Sequence, residues 1–306
     1  MIRQKNDSMM GTFYSVACYL MWGFFPLYFM LTPPASPLEV VAARVLFSLL
    51  FCLALLPLTR QVRPALKTLT SPRQMGLMAL ASVLIFANWL IFVIATTTGN
   101  VMESSLGYYI NPIVSVALGV LFLGERLRRL QWAGLAVAAL AVLVMVVFYG
   151  KVPWISLGLA LSFGLYGLVK KQVGGIPAVV SLTLETLVLA PVALLLMVYF
   201  AQQGSLTLLK EGLGHFTVLA LSGALTAIPL LFFAGAASRI PLSLIGMLQY
   251  IGPTLQFLVA LALGEELNAG RWAGFLLVWV AALFFIADSL KTLKAHRRPV
   301  RLEEAG

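Results

Sequence analysis

The sequence predicts an all-α membrane protein: ten transmembrane helices arranged as two inverted-topology five-helix repeats. Three observations carry that expectation. Of the 306 residues, 61% are hydrophobic and 10% charged, whereas about a quarter of the residues in a soluble domain are charged. The apolar residues fall into ten continuous stretches of about 20, the length a helix needs to span a bilayer; barrel strands would alternate and be about half as long. Much of the chain also matches itself at an offset of 141 residues.

The spans follow one another with little between them. The first, 12–31, follows Arg3 and Lys5 as a signal sequence would. It contains Trp22 and Pro26 and no small-residue cleavage pattern closes it, so it reads as a retained span. The second, 37–58, holds Arg44, and the third, 74–98, holds Asn88 and Trp89. The fourth, 101–123, opens with Glu103 and carries Tyr108, Asn111 and Pro112; the fifth, 129–149, follows Arg126, Arg128 and Arg129. The sixth, 152–170, contains Phe163 and Tyr166, the seventh, 178–200, contains Glu185, and the eighth is 215–237. The ninth, 241–263, carries Gln249, Tyr250, Gly252 and Pro253, and the tenth is 271–290. No connection is long enough to hold a soluble domain. The chain therefore divides into residues 11–150, residues 151–291 and a basic tail, 292–306.

Placement of the cations decides what the formal charge of +10 means. With a cytoplasmic N-terminus, the connections and termini carry 17 Lys and Arg at the inner surface, Lys170 and Lys171 among them, and three, Lys151, Lys210 and Arg271, outside. Positive connections resist translocation, so both termini are expected in the cytoplasm and the basic tail reads as a topology signal or lipid contact rather than a nucleic-acid site. Cys18 and Cys52 lie inside apolar runs and read as small core residues.

The self-match is densest where the helices should be interrupted. Tyr109-Ile110 and Pro112 meet Tyr250-Ile251 and Pro253; Trp22-Gly23 meets Phe163-Gly164; Arg44 meets Glu185; Phe92 meets Phe233. Past the prolines the offset becomes 140, so that Gly124-Glu125 meets Gly264-Glu265 and Trp132-Ala133-Gly134 meets Trp272-Ala273-Gly274. A repeat of five spans is odd, so the two copies must enter the membrane from opposite sides, an arrangement that places a shared site at the interrupted helices near mid-membrane. In each copy an in-helix Pro removes a backbone N–H, so bends are expected at Pro112 and at Gly252-Pro253.

The two five-span halves, the Gly-Glu pairs, and the runs Glu103-Ser104-Ser105-Leu106-Gly107-Tyr108 through Asn111-Pro112 and Gln249-Tyr250-Ile251-Gly252-Pro253 resemble the EamA-type drug/metabolite transporter superfamily. Within it the chain is most similar to the RarD group of chloramphenicol-sensitive or chloramphenicol-resistance permeases. The resemblance implies a multi-pass protein of the bacterial inner membrane that exports or exchanges small metabolites, amino-acid-like compounds or drugs.

Depth along each span selects candidate residues. At about 1.5 Å of rise per residue, Trp22, Asn111 and Gly252 fall near the middle of a bilayer core about 30 Å thick. The expected substrate-binding set is Trp22, Asn88, Trp89, Tyr108, Asn111, Tyr166, Gln249 and Tyr250, aromatic rings with a polar tip beside amides, suited to partly apolar solutes. Small residues and Pro at these positions could equally serve helix packing. Arg44 and Glu185 lie inside spans, where a charge is costly and usually functional. They are expected as charge anchors or gates, Glu185 as a proton-coupling group because a desolvated carboxyl can change protonation; alternatively each snorkels to water. Glu103 is expected either to cap the fourth span or to act as an outer cation or proton site. Glu125 and Glu265 are expected in surface pairs with Arg126 and Arg271, and Asp288 with Lys291. Gly134 and Ala138 could support packing within the bundle or a dimer.

The sequence lacks a phosphate-binding Gly-rich loop ending in Lys-Ser or Lys-Thr, a His/Cys/acid cluster for a metal, and a nucleophile paired with a base. No cofactor is expected. The function that fits is secondary active transport of a small solute, with proton as a possible co-substrate, by a monomer or homodimer in contact with lipid. A facilitative channel or a non-transporting membrane scaffold or enzyme is the alternative.

Overall fold

The computed structural model describes residues 2–97, 101–150, 152–173 and 175–262, with 272, 276, 277, 279–281, 283 and 284; side chains are described from residue 7 on, apart from 93, 96, 97, 101–105, 148, 149, 257 and 260. Among the described residues every regular element is a helix. In chain order these are α1 (Ile2–Gly23), α2 (Phe25–Phe29), α3 (Pro37–Leu58), α4 (Val62–Leu69), α5 (Pro72–Thr97), α6 (Val101–Leu123), α7 (Arg129–Tyr149), α8 (Trp154–Gln172), α9 (Ala178–Gln202), α10 (Gly212–Ala237), α11 (Leu242–Leu248) and α12 (Ile251–Ala262).

Six of these, α3, α5, α6, α7, α9 and α10, contain stretches long and apolar enough to cross a membrane. They occupy the second, third, fourth, fifth, seventh and eighth expected spans. The first expected span is divided between α1 and α2, with Phe24 between them and Pro26 opening the short second piece. The sixth is α8, a helix of 19 residues whose last turn carries Lys170 and Lys171. The ninth is divided between α11 and α12, and most of the tenth lies outside the described residues. Leu58, Leu121 and Leu195 are 77%, 76% and 70% exposed; an outer surface built of such side chains suits lipid rather than water. The chain is a multi-pass membrane protein.

The two proline positions behave differently. In a continuous helix the N–H of residue 253 would bond to the carbonyl of Gln249, but proline has none. The N–H of Gly252 takes that carbonyl instead, at 3.1 Å, in a tighter turn. Gln249 and Tyr250 therefore stand at a break between two helices. In the fourth span α6 runs through Pro112 as one helix. The expected matched interruptions thus become one break and one continuous helix, since Gly252 adds its own helix cost beside Pro253 where Asn111 precedes Pro112.

Packing is organised around α3 and α9, which lie against each other. Helix α3 also packs on α10 and α9 on α5; α1 packs on α10 and α8 on α5; α1 packs on α12 and α8 on α6; and α6 packs on α11. Exchanging α1 with α8, α3 with α9, α5 with α10, and α6 with the α11–α12 pair returns the same set of neighbours. One pair of close approaches obeys the same exchange. A Cβ on Gly23 of α1 would lie 2.5 Å from Cβ of Leu255, and a Cβ on Gly164 of α8 would lie 2.7 Å from Cγ1 of Val114. Positions 23 and 164, like 114 and 255, are 141 residues apart.

Candidate functional site

A cavity of about 280 Å³ lies among these helices, and side chains from α1, α2, α3, α5, α6, α8, α10 and the α11–α12 break line it. Its wall includes Trp22, Asn88, Trp89, Tyr108, Asn111 and Gln249 of the expected substrate-binding set, with Arg44, Gly252 and Pro253. Sequence reasoning missed Tyr19, Phe25, Phe29, Thr226 and Gln256, which also line it. Phe25 and Phe29 follow Trp22 along the first span, so that periodicity could have suggested them; Thr226 carried no signal beyond being polar in an apolar run.

Aromatic rings form a large part of the wall. Trp22 meets Phe163 edge-on at 5.6 Å and Tyr19 at 5.7 Å, while Phe92 lies 6.2 Å from Tyr108. The Arg44 guanidinium stands 4.8 Å over the Trp89 ring, 5.6 Å from that of Phe29 and 6.0 Å from that of Phe25. Its Nε donates to Oγ1 of Thr226 at 2.9 Å. Rings accept a cation on their faces, which holds Arg44 in the bundle without neutralising it.

The amides divide between fastening helices and facing the cavity. Asn88 donates through Nδ2 to the carbonyl of Leu159 at 2.9 Å and to Oγ of Ser162 at 3.0 Å, tying α5 to α8. Gln256 donates to the carbonyl of Trp22 at 3.2 Å. By contrast Asn111 Oδ1, Gln249 Oε1 and Tyr19 Oη are buried and have no hydrogen-bond partner among the described residues. A buried polar atom is normally satisfied, by protein or by something bound.

Two residues of the expected binding set stand elsewhere. Tyr250 is buried against Tyr109 and donates to its carbonyl at 3.4 Å. Tyr166 is fully buried, stacks on Phe233 at 5.7 Å, and donates to Oε2 of Glu185 at 3.1 Å. Glu185 does not meet Arg44. Its Oε1 accepts from Lys170 Nζ at 2.5 Å and from Ser181 Oγ at 2.6 Å, and Ser181 also accepts from Lys170 at 2.6 Å. Lys170 was expected as a cytoplasmic surface cation; it is 5% exposed and inside this cluster. The snorkelling alternative for Glu185 is replaced by a closed ion pair, because its ring of donors satisfies both oxygens. Pro112 does not reach the cavity wall, and the Glu103 side chain lies outside the described residues.

Repeat-matched positions locate the cavity within the bundle. Both members of the pairs 22/163, 85/226, 89/230 and 108/249 line it. Of the pairs 25/166, 29/170 and 44/185, however, only Phe25, Phe29 and Arg44 do so, while Tyr166, Lys170 and Glu185 close on one another.

Two further carboxylates fasten the frame. Glu125 was expected beside Arg126; instead its Oε1 and Oε2 accept from the N–H groups of Leu242 and Ser243, at 2.6 and 2.8 Å, at the start of α11. Those donors are unpaired at a helix start, and Pro241 before them offers none. Glu39, missed in the sequence, accepts from the N–H groups of Thr207 and Leu208 at 2.8 Å each. The capping pattern Ser36-Pro37-Leu38-Glu39 was its available signal. Glu265 and Asp288 lie outside the described residues.

Comparison with known proteins agrees with this architecture. Residues 9–147 match the model of the EamA-like transporter family. The chain is 44% identical, over 99% of its length and 96% of the relative's, to Protein RarD of Streptomyces exfoliatus. It belongs to the EamA-like transporter family, in its RarD group. A relative from Vibrio cholerae, described as an uncharacterized transporter, is 38% identical over 97% of this chain and 99% of its own. A crystal structure that shares 18% identity superposes with a TM-score of 0.71 over 90% of this chain and 96% of that one, so the fold is one already seen. As a member of the EamA-like family this protein is a membrane transporter.

Proposed function

We propose that the protein is a secondary active transporter that carries a small, partly apolar solute across the bacterial inner membrane by alternating access, as an exporter or exchanger. The cavity is its substrate site, with Trp22, Asn88, Trp89, Tyr108, Asn111 and Gln249 as contacts. The observation that carries the reading is the one-sided use of matched residues: Phe25, Phe29 and Arg44 face the cavity while Tyr166, Lys170 and Glu185 form a sealed cluster. Two halves that exchange these roles would open the cavity first to one side and then to the other. The matched packing of α1 with α12 and α8 with α6 supports an inverted pair of halves, 11–150 and 151–291, in a ten-span protein with both termini inside. In that orientation the Arg44 end faces outward and the Glu185 cluster forms the inner closure. Glu185 is the proton-coupling group, because opening the cluster would part its carboxyl from Lys170 and Ser181.

The test is flux into proteoliposomes. Saturable uptake with counterflow is expected, reduced about tenfold or more by Trp89→Ala or Asn111→Ala, the loss of one buried contact of about 1.4 kcal/mol or more. Non-saturable flux without counterflow, or unchanged kinetics in both variants, contradicts it.

A further inference from the structure

We infer that the cavity recognises a singly charged organic anion, a compact carboxylate with a flat apolar body and a hydrogen-bond donor, rather than a cation or a neutral drug. The inference rests on the cavity being the substrate site and adds the charge class.

The argument begins with charge balance. Arg44 keeps its proton under all ordinary conditions, and an uncompensated cation within a membrane is costly. Its matched position, Glu185, is compensated by Lys170. Arg44 has a hydroxyl, Thr226, and three rings, and no carboxylate among the described residues. Among the described residues the titratable groups near it are the phenols of Tyr28 and Tyr108, which are neutral at pH 7. Only Nε is engaged, so the two terminal nitrogens are left to form the fork that matches a carboxylate. Among the described residues the cavity wall therefore carries one unmet positive charge.

The other polar feature sits on different helices. Asn111 of α6 and Gln249 at the α11–α12 break present unpartnered, buried amide oxygens, and Tyr19 a third unpartnered oxygen. The two amide oxygens are neutral acceptors and the Tyr19 hydroxyl accepts as well as donates, so they suit an N–H or O–H and lack the negative charge that an ammonium group would require. The aromatic rings of the same wall suit a flat body. At about 280 Å³ the cavity lies near the lower end of the ~300–1,000 Å³ usual for ligand sites, so the solute is compact. A zwitterion would meet Arg44 with its carboxylate and leave its ammonium without a counter-charge.

The experiment measures binding to the purified full-length protein by thermal shift and calorimetry, using four compounds of similar shape in three charge forms: the anions 3-phenyllactate and 3-phenylpropanoate, the neutral methyl 3-phenylpropanoate and the zwitterion L-phenylalanine. The two acids are expected to raise the melting temperature, phenyllactate more than phenylpropanoate, with the ester and the amino acid at least about tenfold weaker. Arg44→Gln is expected to abolish the difference between acid and ester, and Arg44→Lys, which keeps the charge without the fork, to retain part of it. An ester or amino acid that binds as well as the acids, no shift from either acid, or an acid preference unchanged in Arg44→Gln overturns the inference. Saturable flux of a neutral or cationic solute that depends on Asn111 would overturn it while leaving the transport reading standing. Acid binding without saturable flux or counterflow would do the reverse.

Discussion

At Arg44, Lys170 and Glu185 the protein handles membrane-embedded charge in two ways. Arg44 is held by ring faces and one hydroxyl, whereas Glu185 is surrounded by Lys170, Ser181 and Tyr166. Removing one partner of a buried pair strands the other, at a cost of about 3–5 kcal/mol, while replacing both by apolar residues costs far less. Lys170→Met or Glu185→Gln alone is therefore expected to lower the detergent-solubilised melting temperature, and Lys170→Met with Glu185→Leu to recover most of the loss; a double variant as unstable as the sum of the singles contradicts the pairing. Glycines give a second residue-scale contrast. A Cβ on Gly223 would lie 2.3 Å from the Phe47 backbone carbonyl carbon, while one on Gly76 meets nothing within 4 Å. Gly223→Ala should destabilise by about 1–3 kcal/mol through overpacking, and Gly76→Ala should stabilise by up to about 1 kcal/mol through helix propensity. Thermal melts of the two variants would check both signs.

Among the elements, the α11–α12 break is the one shaped most directly by identifiable residues. Pro253 cannot donate to Gln249, Gly252 takes that carbonyl, and Glu125 holds the start of α11 from another helix. Pro253→Ala restores the missing donor and is expected to favour a continuous helix, moving Gln249 relative to the cavity and reducing transport by about tenfold or more, a loss of ~1.4 kcal/mol; an unaltered rate would detach the break from function. Glu125→Gln should cost about 1–2 kcal/mol, since it weakens two charge-assisted bonds at a helix start. Sequence reasoning reached the break because Gly and Pro punctuate chains locally. It read Glu125 as a surface ion pair because its partners, Leu242 and Ser243, are more than a hundred residues away and contribute backbone, which has no sequence signature. Tyr166 shows the same limit: depth along a span can be counted, but the helix face that meets the cavity cannot, and its ring turns to Glu185. Lys170 was read as a surface cation because it lies in the last turn before a polar connection, where only tertiary packing reveals burial.

For the molecule as a whole, the apolar, all-helical character was legible because lipid leaves the backbone few alternatives to helix. The gathering of Trp22, Asn111 and Gly252 around one cavity agrees with their similar depth. Which matched residues face it was not legible, because a repeat in sequence has no preferred side. If the halves exchange roles and Glu185 couples a proton, transport by the wild type should depend on pH where transport by Glu185→Gln does not; identical pH profiles would remove the coupling role. The exchange itself can be read by labelling Phe25→Cys and Tyr166→Cys, each in a chain with Cys18 and Cys52 replaced, using a membrane-impermeant maleimide from either side of sealed vesicles. The account predicts that residue 25 reacts from the outer side and residue 166 from the inner side, and that a transported solute changes the two reactivities in opposite directions. Reaction of both from one side, or parallel changes in both, would contradict it.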